Sequence, residues 1–568
     1  MGAATAGCLG DDDPAAEVDA DDVGEQVPPI RVDYPSDLSG TTEVAEATIP
    51  ILRNALEELG LEMETQPVSF SEWLERQFND QRVCHLNISD YANNPDRLDP
   101  DEFTFNYAAS NAGANGQTNW ANYANCEQQV LAEEQRREVD PEARREIVYE
   151  AHEIPSEDIA TIPLIGNVSF GAYNEEQVEP GPLGPAGVDD TATHTLIQTT
   201  GIDGPVRANT TPATVETNVH LRFGGPTPLV PWSTMVYSPL FAYDHEYEFM
   251  NVLAEYEEVR EDGLEVEVGL RDATFHDGSP ITSEDVAWTF TYLNDNFDVF
   301  PRFPDLPLDS IDTPDDSTVV FNLTERFAPL LTRVVPEWGI MPRDHFIENG
   351  AEDDPDGFEL DTVIGSGPYA VSDFSRGTSL LLEPHDGHPK YDPEGNIDMV
   401  AYDDSQGAAR AFENEEINWL QTIDAGLAER IEDMEEADVR VTNTPSTIML
   451  WPQCSWGPSQ FRAFRMAVSQ AINRQRVNQT AALGRSEPQL YSSNMSDTHP
   501  FYPGEEYLTQ CAETPEDNVE TAIEVLEDAG FGFDGDGNLR YPEDADLSPV
   551  WPEGDEPADY PDQFECLQ

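Results

Sequence analysis

Lysine is almost missing from this chain. Lys390 is the only one, and every other basic residue is arginine. Lysine and arginine together number 28 against 113 aspartates and glutamates, for a formal net charge of −85. So little positive charge argues against nucleic acid or an anionic lipid surface as a partner, since both are gripped through basic side chains. Apolar runs approaching 18 residues are missing too, so nothing in the sequence is expected to span a membrane. Cysteine is sparse: Cys8, Cys84, Cys126, Cys454, Cys511 and Cys566 contain no Cys-x-x-Cys pair, which excludes a zinc knuckle. An exported protein could pair four of them, in a connectivity that spacing does not reveal. A Gly-x-Ser-x-Gly elbow and a His-Glu-x-x-His metal helix are also missing. The chain therefore reads as neither an enzyme nor the holder of a metal or cofactor.

What is present is a long, evenly acidic chain. With 568 residues and 38% hydrophobic content it can bury several cores, and two or three lobes are expected. Acidity spread over the whole length is not an interaction tail. At molar salt, where the Debye length falls to about 3 Å, such self-repulsion is tolerable, and the composition resembles that of proteins from extreme halophiles. "TAGC" at Thr5–Cys8 resembles a lipobox, nominating Cys8 for lipidation, and the acidic run Asp11–Pro29 reads as a solvated tether. A membrane contact would then be through a lipid anchor only.

Local patterning is clearest at Glu255–Phe290. Leu264, Val266, Val268 and Leu270 alternate as a half-buried strand, "HDGSP" at His276–Pro280 makes a turn, and Thr282 or Ser283 caps a helix carrying Val286, Trp288 and Phe290. His276 beside Asp277 reads as a turn pair and not as acid–base machinery. "DGDGN" at Asp534–Asn538 opens like a calcium loop but has Leu539 at the sixth position and Ala545 at the twelfth, so it reads as a turn. Asp140–Ile165 reads as a helix presenting Ile147, Val148, Ala151 and Ile154, followed by an apolar strand.

The Glu255–Phe290 block resembles the family 5 solute-binding proteins of ABC importers, the peptide/nickel-binding type, and in particular haloarchaeal dipeptide- and oligopeptide-binding lipoproteins. Further blocks follow in that family's order: Ser310–Leu331, "VIGSGPYAVSDF" at Val363–Phe374, Arg410–Leu420, Phe464–Val477 and Asp517–Phe531. The glycines of "GSGPY" suit a tight backbone path, since no P-loop lysine follows. The Asp140–Ile165 pattern belongs near the family's C-terminus, yet here it lies in the first third. Leu52–Gln77 and Cys84–Leu98 likewise resemble segments that should follow the present end. The chain is accordingly read as a circular permutant of an α/β, two-lobed periplasmic-binding-protein-like fold (type II, with an extra subdomain). The expected divisions are 1–30, lipobox and disordered tether; 31–188, the family's C-terminal part, with 31–159 in lobe II and 160–188 in lobe I; 179–193, a Pro/Gly-rich joining linker; 194–440, lobe I with a subdomain at about 245–362; and 441–568, lobe II.

The resemblance implies a monomer on the outer face of the cytoplasmic membrane. It would close its lobes around a di- or oligopeptide and deliver it to ABC permease and ATPase subunits. It assigns Asp90, in "NISDY" (Asn87–Tyr91), to the peptide's α-amino group, and the Ile88–Ser89 backbone with Tyr91 to the strand edge that receives the peptide. Trp232, Ser233 and Tyr237 are nominated to line the cleft from one side, Trp451 and Trp456 from the other. No arginine in Ser36–Ala47 matches the one that dipeptide-specific members use for the ligand carboxylate. An oligosaccharide or nickel ligand, the latter hinted at by His85, and a fused surface protein without a ligand remain the alternatives.

Overall fold

The computed structural model describes residues 23–36, 41–79, 82–90, 95–114, 118–185, 187–188, 193–212, 215, 232–296, 306–355, 357–360 and 362–568. A ten-stranded mixed sheet runs through it. In chain order its strands are β1 (Ile30–Pro35), β2 (Met63–Val68), β3 (Leu86–Ser89), β4 (Ile162–Asn174), β5 (Val206–Thr210), β6 (Tyr369–Ser375), β7 (Ser379–Pro384), β8 (Ile397–Ala401), β9 (Trp419–Ile423) and β10 (Ala437–Pro452). They lie in the order β6-β7-β8-β5-β9-β4-β10-β3-β1-β2.

Two strands decide the shape. β4 and β10 are 13 and 16 residues long, against a usual strand of about 5–6. They pair antiparallel from Ala437↔Asn174 to Leu450↔Ile162, but the ladder slips midway. Asn443 faces Val168 while Thr447 faces Gly166, so β10 advances four residues where β4 advances two. Such a bulge bends and twists the pair locally. On one side of it lies a core built from Tyr173, Trp232, Val266, Phe290, Trp338, Tyr369 and Trp419. On the other lies a core in which Leu52, Leu56, Leu86 and Ile88 pack with Ile162, Leu164, Ile448, Leu450, Phe464, Val468 and Leu526. Residues near the front of the chain thus share one interior with residues near its end.

The local elements follow from the residues that build them. Helix α1 (Thr41–Glu58) buries Ala45, Thr48, Ile51, Leu52, Ala55 and Leu56, an i, i+3, i+4 stripe against the sheet. Helices α2 (Cys126–Arg137) and α3 (Pro141–Glu157) start at Asn125 and Asp140, whose side chains accept the first free amide hydrogens. On α3 the buried stripe is Arg144, Val148, Ala151, His152 and Pro155, so Ile147 and Ile154 are only partly covered. A four-stranded antiparallel sheet (Ala254–Arg260, Glu265–Leu270, Thr318–Leu323, Leu308–Asp315, in spatial order) carries Val266, Val268 and Leu270 inward and leaves Leu264 38% exposed. Thr282 caps the helix Ser283–Asp295 in a reciprocal box with Asp285. Gly365 and Gly367 of "GSGPY" lie so close to the Met235–Val236 backbone that a Cβ would fall 2.0 Å from the Val236 oxygen and 2.2 Å from the Met235 oxygen. Only glycine fits that crossing.

Two expectations need correcting. Residues Val23–Gln26, assigned to the tether, form a strand antiparallel to Leu539–Pro542, because Val27 and Ile30 reach the second core and draw the chain in. Among the described residues one disulfide forms, Cys126–Cys566, while Cys84, Cys454 and Cys511 are buried free thiols. Cys511 lies in the second core and Cys454 beside Trp451, while Cys84 is buried ahead of β3. The disulfide fastens a C-terminal tail whose Trp551 and Phe564 pack with Ala112, and whose Trp551 carbonyl accepts from Arg82 at 2.6 Å. The bridge joins positions 440 residues apart, and reduction removes this tail's covalent tie to the start of α2. We expect thiol treatment to cost about 4 kcal/mol, the upper part of the usual range because the bridge closes a 440-residue loop, read as an earlier denaturant midpoint with reductant present; an unchanged midpoint would count against this contribution.

Candidate functional site

Strands β1 and β3 run parallel and end side by side, and α1 begins at the same end of the sheet. Open α/β sheets take ligands beyond the C-terminal ends of their strands, and Asp90 sits there, one residue past β3. Its Oδ1 accepts from Thr41 Oγ1 at 2.7 Å, at the first turn of α1, and its Oδ2 accepts from Asn167 Nδ2 at 2.7 Å. Asn167 lies on β4 beside the slipped register, and the same Nδ2 is 3.5 Å from Ser446 Oγ in the β10 bulge. One carboxylate therefore ties the head of a helix, the end of a strand and the point where the sheet passes between the two cores.

The electrostatics are specific. Burial pushes the Asp90 carboxyl above the ordinary carboxylate range, and the hydrogen bonds from Thr41 and Asn167 oppose that rise. Both donors are neutral. The positive end of the α1 dipole adds a modest pull toward the ionised form. The Asp90 backbone amide and the nearby Arg97 charge also favour the ionised form.

The other nominated residues divide sharply. Ile88 and Ser89 adjoin Asp90, but β3 is an interior strand and not the expected edge: it lies between β10, where Met449 pairs with Ser89 and Leu450 with Ile88, and β1. Ile88 is sealed in the second core, and the buried Ser89 hydroxyl lacks a hydrogen-bond partner among the described residues. Tyr91, Cys8 and the Thr227–Pro231 stretch lie outside the described residues. Trp232, Ser233 and Tyr237 are buried and do not line an opening; Trp232 and Tyr237 belong to the first core, because the GSGPY crossing presses their segment inward. Burial raises the Tyr237 hydroxyl well above its ordinary pKa. Trp451 is fully buried against Trp120 and Tyr107. Trp456 packs on His85, ring centroids 4.7 Å apart, with the Arg31 guanidinium 5.2 Å from its ring. His85 precedes β3 and Asp90 follows it, so Trp456 stands at the end of the strand away from Asp90. His85 Nδ1 accepts the Arg31 amide hydrogen at 3.1 Å, and burial and the Arg31 charge lower its pKa to about 3. Its neutral ring is thereby engaged, and no group of three His, Cys, Asp or Glu among the described residues could hold a metal. No helix among them is long and apolar enough to cross a membrane.

Thr41 and Asn167 escaped the sequence reading. Neither sits in a motif; each is recognisable only once α1 and β4 converge on β3.

The model of the family described as bacterial extracellular solute-binding proteins, family 5 Middle, matches residues 248–560. Over 126 residues the chain is 32% identical to an Escherichia coli K12 protein named "Probable D,D-dipeptide-binding periplasmic protein DdpA", covering 22% of this chain and 23% of that one. It is 26% identical over 339 residues to Protein XP55 of Streptomyces lividans, covering 57% and 58%. The structure of the oligopeptide-binding protein AppA from Bacillus subtilis, in complex with a nonapeptide, aligns with 60% of this chain and 67% of AppA at 19% identity and a TM-score of 0.43. The chain thus spans between about a quarter and three fifths of the two curated relatives named. With a family model matched over more than half its length and an α/β architecture of two lobes about one sheet, this chain belongs to the family 5 extracellular solute-binding proteins.

Proposed function

We propose that the protein captures peptides outside the cell by lobe closure and hands them to an ABC permease and its ATPase. The observation that carries this reading is the carboxylate of Asp90, held by neutral donors at the C-terminal end of a strand beside the register slip that links the lobes. A peptide ammonium entering there would meet a charge already desolvated and oriented, so little reorganisation opposes binding. In this reading the chain is a circular permutant, which the shared core of residues 30–165 and 448–541 supports. Permutation is inexpensive where natural termini lie at the surface. The excess of 113 acidic over 28 basic residues suits an exterior of molar salt, and lipidation of Cys8 would hold the protein at the membrane.

Native mass spectrometry of protein purified in high salt tests the ligand class. The expected result is retained peptides of several lengths, since no arginine in Ser36–Ala47 is available to fix the carboxylate of a dipeptide. Retained oligosaccharide or nickel in place of peptide would overturn the assignment.

A further inference from the structure

We propose that Thr332 and Arg333 form a latch that fastens one lobe to the other through Asp99, Asp101 and Glu102. It builds on the two-lobe closure above but needs no ligand. The segment Phe327–Val335 contributes Phe327, Leu330, Val334 and Val335 to the first core. From there Thr332 Oγ1 donates to Asp99, and the Arg333 guanidinium spans Asp101 and Glu102. The acids lie on the opposite lobe, around Phe103, which packs with Val148, Met449 and Trp451.

The arrangement has a property that fits a latch better than a permanent weld. Each acid already has a partner on its own side. Asp99 accepts both terminal nitrogens of Arg144, at 2.8 and 2.7 Å. Asp101 accepts Arg136 Nε at 2.6 Å and Nη2 at 2.9 Å, and Gln135 Nε2 at 2.7 Å. Glu102 lies 3.9 Å from Arg97. When the lobes part, Thr332 and Arg333 withdraw into water and none of the acids is left buried alone. An uncompensated buried charge is the main cost of breaking such a network, and here it is avoided.

The latch is also well made when shut. The Asp99 and Asp101 side chains are fully buried, and that of Arg333 is 10% exposed, so screening by salt is weak. Its margin is closed by the Ala328 amide on the Arg136 carbonyl at 2.6 Å and by Arg137 on Glu325 at 3.0 Å. The Arg136 guanidinium lies over Phe105 and within 5.8 Å of the Phe327 ring centroid, roofing the contact from the acid side.

Hydrogen exchange on the unliganded protein in its working salt tests this, comparing Arg333→Gln and Thr332→Val with the wild type. Arg333→Gln should speed exchange about ten-fold or more in two segments only, 99–105 and 328–334, with α1 and β3 unchanged. Thr332→Val removes a single hydroxyl and should give a smaller rise in the same two segments; it decides the matter alone if Arg333→Gln does not fold. Unchanged exchange in both segments, or a rise spread evenly over the chain, overturns the latch. Because no peptide is present, the outcome is independent of whether the ligand is a peptide.

Discussion

Asp90→Asn should weaken peptide binding by about 30-fold to several thousand-fold, the equivalent of roughly 2–5 kcal/mol for truncating one partner of a desolvated charge pair. The peptide ammonium would remain buried while its counter-charge is gone. Molar salt should not erase the loss, because a contact pair shut away from water is screened far less than surface charge. Stability without ligand should change little: relief of a costly buried carboxylate offsets the acceptor lost to Asn167. The pH dependence has a definite sign. Burial raises the Asp90 carboxyl in the unliganded protein, and a bound ammonium favours its ionised form, so binding expels a proton. Affinity should therefore rise as pH climbs through the raised carboxyl pKa. For the unliganded fold the same residue works the other way: the native state holds a proton that the unfolded chain has released, so its contribution falls as pH rises through that window. Isothermal calorimetry in buffers of different ionisation enthalpy reads both affinity and proton release. An Asp90→Asn variant that binds as tightly as the wild type would show that the cleft lies elsewhere.

Asp101→Ala should be the most damaging single change to stability, at roughly 3–5 kcal/mol, because it leaves the Arg136 and Arg333 guanidiniums without the carboxylate on which both converge. Arg333→Gln should cost much less, since Asp101 keeps Arg136 and Gln135. The contrast separates a residue that holds one lobe together from one that only crosses the gap. Burial alone would raise the Asp101 carboxyl, but the Arg136 and Arg333 charges outweigh it and hold its pKa well below the ordinary range. Its stabilisation is thus fully present above the unfolded-chain pKa near ~4 and is lost as pH falls through the lowered native value. Denaturant midpoints measured from neutral to acid pH should decline in the wild type and decline less in Asp101→Ala. Equal midpoints for wild type and Asp101→Ala at neutral pH would remove the cluster from any structural role.

Much of the fold was legible because its signals are local. The alternation through Val266, Val268 and Leu270 and the capping box of Thr282 with Asp285 each depend on residues within one turn or strand. The helix Pro141–Glu157 was legible too, but not its face. Arg144, which spacing alone would leave in solvent, is drawn into the buried stripe by Asp99, 45 positions away. The aromatic nominations went astray for a related reason: Trp232, Tyr237 and Trp451 suit a cleft wall and a core equally well, and only the packing around them chose the core.

By itself the sequence determined the family, through blocks of local pattern in recognisable order, and the acidic surface, through composition. It also singled out Asp90, through its place after a short apolar strand. Tertiary structure alone decided what Asp90 touches, because Thr41 and Asn167 lie 49 and 77 positions away and reach it only when a helix head and a bulged strand converge. It alone brought Arg333 to Asp101 across 232 positions. An ion pair carries no periodicity and no turn chemistry, so among 113 acids nothing local distinguishes the one that an arginine will meet.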